Sequence, residues 1–477
     1  MTPIGIRMTA MWRRVGTRFL PFADAASADL PLSRLLRLSL FQVSVAIAAV
    51  LLTGTLNRVM IVELHVSAWL VSTMVAVPLV FAPLRALIGF KSDTHRSALG
   101  WRRVPYIWFG TLLQFGGLAI MPFALLLLSG ISNSPVWVGT TGAALAFLLV
   151  GIGMHTTQTA GLALAADLAT PETRPRVVAL LYVMLLIGTL VSALVCGVLL
   201  RDFTPTRLVQ VVQGAALLTL VLNVIALWKQ EARSPSRTAE SAARSTFAAS
   251  WAAFNADGRR HRFLVAVGLG TAAFAMQDVL LEPYGGEILK LPVAATTTLT
   301  AFQAVGTLLA FALAGRRLGS GADPYRLASY GLLAGVAAFS AVVFSAPLDS
   351  ALLFRVGSLL IGFGTGLFAV GTLTVAMDVD RGDCSGLALG AWGAVQASAA
   401  GIAIAVGGFT RDAIGALATS GALGAALASP VTGYAFVYHL EIALLFSALI
   451  AIGPLVRTAR AGARQPPSQF GLAEFPG

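Results

Sequence analysis

Apolar runs of about twenty residues or more recur along the chain, each broken by a short segment carrying basic, Pro or Gly residues. A run of that length, coiled as a helix, matches the hydrocarbon thickness of a bilayer. Twelve runs predict twelve transmembrane helices, at 36–57, 66–88, 104–128, 136–166, 174–200, 206–228, 263–285, 293–314, 327–346, 351–377, 386–408 and 432–455. The fourth and tenth are long for a bilayer and are expected to tilt or to extend beyond it. The first closes on "TGTLNRVMIVEL", where Arg58 interrupts an apolar stretch and Glu63 follows five residues later. A charge placed there in lipid requires a partner or a route to the headgroups.

Composition agrees with this pattern. Of 477 residues, 57% are hydrophobic and only 11% charged, which excludes a soluble globular chain of this size. The fold class is therefore all-α and polytopic. An even number of spans puts both termini on one side. Of 33 Lys and Arg residues, 27 fall in the termini and the even-numbered loops, so both termini are expected in the cytoplasm. The net charge of +12 is thus topological. Spread over many short loops, it argues against nucleic acid as a partner. Two cysteines, Cys196 inside an apolar span and Cys384 just before one, suggest neither a disulfide framework nor a thiolate metal site. No short apolar stretch with a small-residue cleavage site is seen near the N-terminus, so no cleavable signal is expected.

Five segments follow. Residues 1–34 form an N-terminal cytoplasmic segment, in which "RMTAMWRRVGTRFL" mixes apolar and basic residues as an interfacial helix does. Residues 35–228 form a first six-helix bundle. Residues 229–261, rich in Ser, Ala and Arg, form a linker. Residues 262–456 form a second bundle, and 457–477 a tail.

The two bundles repeat each other. "GIGMHTTQTAGLALAAD" (151–167) and "GFGTGLFAVGTLTVAMD" (362–378) each carry G-x-G and an Asp fourteen residues after the second Gly. "LNRV" in span one aligns with "MQDV" in span seven, pairing Asn57 with Gln277 and Arg58 with Asp278. Parallel six-helix repeats define the major facilitator architecture. "GFKSDTHRSALGWRR" (89–103) resembles the loop signature of that superfamily, with an insertion before Gly100, and "GRRLGSGADPYR" is its looser counterpart. The resemblance implies a cytoplasmic gate. Asp93 would face the positive N-terminus of span eleven near Ser385, and Arg102 or Arg103 would reach Asp167. Asp323, Arg326 and Asp378 would form the mirror set. The plainer reading is that these are solvated loop charges.

The stretches "LNRVMIVEL", "SDTHRSALGWRRVPYIWFGTLLQFGGLAIMPFALL", "GMHTTQTAGLALAADLA", "RPRVVALLYVMLL" and "MQDVLLEPYGGEIL" resemble the PucC/LhaA family of photosynthetic purple bacteria. This is the bacteriochlorophyll-delivery branch of the major facilitator superfamily. "RFLPFADAASADLPLSRLLRLSLFQ" and the tail "FGLAEFPG" resemble its LhaA members. The resemblance implies an assembly factor of the core light-harvesting antenna, held in the bacterial inner (intracytoplasmic) membrane. It would handle bacteriochlorophyll as cargo, with carotenoid as a second pigment. Its partners would be antenna polypeptides and the pigment-synthesis and membrane-insertion machinery.

Residue by residue, Arg58 is expected to pair with Asp278 or Glu282 and close the periplasmic side, with snorkelling as the alternative. His155, one turn from Gln158 inside span four, is a candidate axial ligand for a chlorin magnesium; a histidine bonded to a neighbouring helix is the alternative. His439, near Glu441 in span twelve, and Trp108, in an aromatic group with Trp101 and Tyr106, are further pigment candidates. For Trp108 the competing reading is an interfacial belt. "GFGTG" lies inside an apolar span and reads as helix packing rather than a nucleotide loop. No nucleophile–base pair or metal-ligand spacing appears, so an enzyme is not expected. Two functions stay open: a pigment chaperone, and an alternating-access secondary transporter of a small solute, with proton coupling as one option. The mostly apolar mid-depth of spans one, four, seven and ten favours the first.

Overall fold

A computed structural model describes residues 30–80, 101, 103–128, 135–169, 173–231, 258–379 and 387–456. Among these residues all regular structure is helical. The helices are α1 (Leu32–Glu63), α2 (Ala68–Val80), α3 (Val104–Leu128), α4 (Val136–Leu168), α5 (Arg174–Leu199) and α6 (Pro205–Leu227). The second half holds α7 (Gly258–Glu287), α8 (Val293–Gly319), α9 (Pro324–Ser345), α10 (Ala351–Val379), α11 (Leu387–Thr419) and α12 (Val431–Ile452). Eleven are long and apolar enough to cross a membrane; α2 is described only as far as Val80.

The repeat in the sequence is a repeat of packing. Gly153 of α4 lies against the backbone of Gly110 and Gln114 on α3. Its counterpart Gly364 of α10 lies against the backbone of Gly331 on α9. Gly362 meets the Gln303 carbonyl on α8, and Gly366 meets Thr307 one turn along. The glycines of "GFGTG" therefore bring three helices into close approach, as small residues do in membranes.

The halves join through α2 with α11, α5 with α8, and α1 with α7. Gly197 packs on Thr298, and Gly408 on Ser72 and Ala68. These contacts lie at the end of the bundle away from Leu32 and the α6–α7 connection. That end is called the distal face here and the other the basic face. One hydrophobic core runs through both halves at mid-depth and toward the distal face, including Leu56, Met60, Met276, Leu280 and Tyr284. Toward the basic face the cores separate. Leu35, Phe41, Ile107 and Leu164 belong to one cluster, while Phe263, Val267, Val375 and Ala391 belong to another.

Two elements differ from the sequence expectation. Helix α11 runs to Thr419, eleven residues beyond the predicted end, because Arg411 and Asp412 find partners inside the bundle. Helix α1 changes its winding. Leu51–Thr55 and Val59–Glu63 are π-helical, on either side of the short α-helical turn Leu56–Arg58.

Candidate functional site

The winding of α1 decides the environment of Arg58. In an α-helix of about 3.6 residues per turn, side chains five apart point to nearly opposite faces. The i→i+5 bonding of a π-helix stacks them instead. Arg58, 4% exposed, thus donates from Nη1 to Glu63 Oε1 at 2.5 Å, and from Nη2 to the Leu291 carbonyl at 3.3 Å. No ion pair joins it to Asp278 or Glu282, which corrects the expected pairing. Asp278 meets α1 through its backbone, whose carbonyl accepts from Asn57 Nδ2 at 3.3 Å, while its carboxylate accepts from Gln277 Nε2. Glu282, 4% exposed, accepts from Thr300 Oγ1 at 3.0 Å and fills the space left by Gly54.

Beside Arg58–Glu63 lies a cavity of about 320 Å³ between α1, α3 and α6, at the distal end of the first half. Val59, Pro122, Leu125, Phe203, Leu208 and Val212 line it, and Glu63 is its one charged residue. Leu126 at its wall is exposed on the outer surface. Deeper in this half, Gln114 donates to the Ser44 carbonyl at 3.0 Å, and Asn223 to Thr111 at 2.9 Å, tying the same three helices together.

The pigment candidates do not converge. His155 is buried in α4, with Gln158 half-buried one turn away. Trp108 is exposed on the outside of α3. His439 is exposed too, its Nδ1 on the Ala435 carbonyl at 2.6 Å. The helix period sets this: Tyr434, Val437, Tyr438, Glu441 and Leu445 take the buried stripe of α12, and His439 falls off it. None of the four lines the cavity.

At the basic face Arg103 donates from Nε to Asp167 at 3.0 Å. Glu231, just beyond α6, accepts the backbone N–H groups of Arg103 and Val104 at 2.9–3.2 Å and so caps α3. Asp323 caps α9 by accepting from Tyr325 N at 2.9 Å, and Arg326 is exposed in the same turn. Asp93 and Arg102 lie outside the described residues, as does the side chain of Asp378.

Sequence reasoning missed a second network at the distal face. Arg411 pairs with Glu287 at 2.5 Å and with Asp412 at 2.7 Å. Tyr434 donates to Glu287 at 2.9 Å, and Asp412 accepts from Trp69 N at 2.8 Å. Its one sequence signal was charge close to a predicted span end.

A model of the family described as PUCC protein matches residues 55–460. The chain belongs to the PucC family. A protein of Rhodobacter capsulatus, described as an uncharacterized protein in the puhA-bchM intergenic region, is 56% identical over 96% of this chain and 97% of its own length. Protein PucC of Rhodovulum sulfidophilum is 58% identical over 84% of this chain and 89% of its own length. PucC family membership indicates a role in the assembly of photosynthetic antenna complexes. Among solved structures, a bacterial homologue of the iron transporter ferroportin, in an inward-facing state, superposes with TM-score 0.64 at 15% identity, over 89% of this chain and 98% of that one. The nucleoside transporter NupG does so with TM-score 0.61 at 14% identity, over 88% and 99%. These likenesses establish the major facilitator fold.

Proposed function

We propose that this PucC family member assembles the core light-harvesting antenna by binding bacteriochlorophyll, with carotenoid as a second pigment, and passing it to nascent antenna polypeptides. It works as a carrier rather than an enzyme, in the intracytoplasmic membrane with its termini in the cytoplasm, beside the pigment-synthesis and membrane-insertion machinery. The observation that carries this reading is the apolar cavity between α1, α3 and α6. Its volume is at the low end of ligand pockets, about 300–1,000 Å³. Its walls suit an isoprenoid tail or the edge of a macrocycle, and its one carboxylate is already held by Arg58. His155, on α4 and outside this cavity, is carried forward as a separate candidate magnesium ligand.

The test is an absorption spectrum of the protein purified in mild detergent from a pigment-making host without antenna polypeptides. A stoichiometric near-infrared band is expected, lost when Leu125→Trp fills the cavity. A colourless protein rejects pigment carriage. His155→Phe with unchanged pigment content removes the ligand role alone.

A second reading, a solute transporter, draws on the carboxylates of Glu282 and Glu441, buried on α7 and α12. It expects proton-driven flux in proteoliposomes, abolished by Glu441→Gln.

A further inference from the structure

At the basic face the first turns of α1 and the residues after α6 form a shallow, open polar depression of about 360 Å³, lined by Ser33, Arg34, Arg37 and Lys229. Its frame is built by reciprocal bonds. Arg34 donates from Nε to Gln230 Oε1 at 3.1 Å and from Nη2 to the Gln230 carbonyl, and Gln230 Nε2 returns a bond to the Arg34 carbonyl at 3.2 Å. Gln230 is fully buried. Lys229 holds the left-handed conformation at φ 55°, uncommon outside glycine, and this turns the chain sharply as it leaves α6.

Two of the cations at this pocket, Arg37 and Lys229, lack an anion among the described residues. Arg37 has a buried Nε with no hydrogen-bond partner among them. Unsatisfied buried donors are costly and uncommon in native structures. A ligand that supplies oxygen acceptors and negative charge would satisfy them.

The surroundings say which ligand. Val221, Val224, Ile225 and Trp228 are all exposed on α6, at i, i+3, i+4 and i+7. They form an apolar stripe that ends at the pocket. Tryptophan at the end of a span marks the headgroup level. A basic pocket at that level, above an apolar stripe, matches a molecule with a phosphate and acyl chains.

We propose that this pocket binds the phosphodiester of an anionic phospholipid, with Arg34, Arg37, Lys229 and the Ser33 hydroxyl around the phosphate and the acyl chains along Val221–Trp228. The lipid would fasten the start of α1 to the end of α6.

The full chain, delipidated in detergent, is titrated with phosphatidylglycerol, phosphatidylethanolamine and inorganic phosphate while thermal unfolding is followed. Phosphatidylglycerol should raise the unfolding midpoint well above either alternative. Lys229→Gln and Arg37→Gln should each weaken its binding about five-fold and the pair about 25-fold. Lys290→Gln, at the distal face, should leave binding unchanged. Lys229 is exposed, so its variant reports even if Arg37→Gln does not fold. Equal effects of inorganic phosphate would reduce the site to an anion pocket and overturn the lipid assignment. Equal effects of phosphatidylethanolamine, or unchanged binding by Lys229→Gln, would overturn it as well.

Discussion

Asp412 on α11 accepts the backbone N–H of Trp69 at 2.8 Å, so a carboxylate of one half caps the first turn of α2 in the other. The first N–H groups of a helix have no partner within it, and a side-chain oxygen that supplies one is worth about 0.5–2 kcal/mol. Asp412→Ala is expected to lower the thermal unfolding midpoint in detergent, whereas Asp412→Asn keeps the acceptor and most of the stability. Equal losses for the two would assign the effect to the charge facing Arg411 instead of to the cap.

Arg58 and Glu63 form the second pair to test. Breaking a fully buried ion pair costs about 3–5 kcal/mol. The Glu63 side chain is 38% exposed, so Glu63→Gln should cost less, on the order of 1–2 kcal/mol after solvent screening. A double-mutant cycle of Arg58→Met with Glu63→Gln should show coupling that the cycle of Arg58→Met with Asp278→Asn lacks. Stronger coupling to Asp278 would restore the pairing between α1 and α7.

The glycines separate by sign. A Cβ at Gly362 would overlap the Gln303 carbonyl, so Gly362→Ala should destabilise by about 1–3 kcal/mol. Gly116 in α3 has open space around it, and Gly116→Ala should stabilise by about 0.5–1 kcal/mol through helix propensity. Unfolding midpoints of the two variants, measured side by side, check both directions.

Arg103 and Asp167 join the start of α3 to the end of α4. Arg103→Glu and Asp167→Arg should each lower stability modestly, since Asp167 is about half exposed. The double reversal should recover at least half of the loss. No recovery would leave Arg103 with a role only through its backbone contact to Glu231.

Much of the architecture was legible without coordinates. Span positions follow from apolar length, because lipid fixes both how long a helix must be and what it can expose. The repeat was legible because the glycines that bring helices together cannot change freely; Gly153 and Gly364 occupy the same place in each half. The site was less legible. His439 was placed by its residue type, and the face it presents depends on the buried stripe of α12.

Sequence alone, then, determined the membrane class, the helix count and the two-fold repeat, since each depends on composition or spacing along the chain. Only the tertiary structure decided the partners of the charges. Arg58 meets Glu63 because part of α1 winds as a π-helix, and Asp412 meets Trp69 because α11 continues past its apolar run. Those choices depend on which helices approach and how each is wound. A periodicity argument that assumes one helical pitch does not contain them.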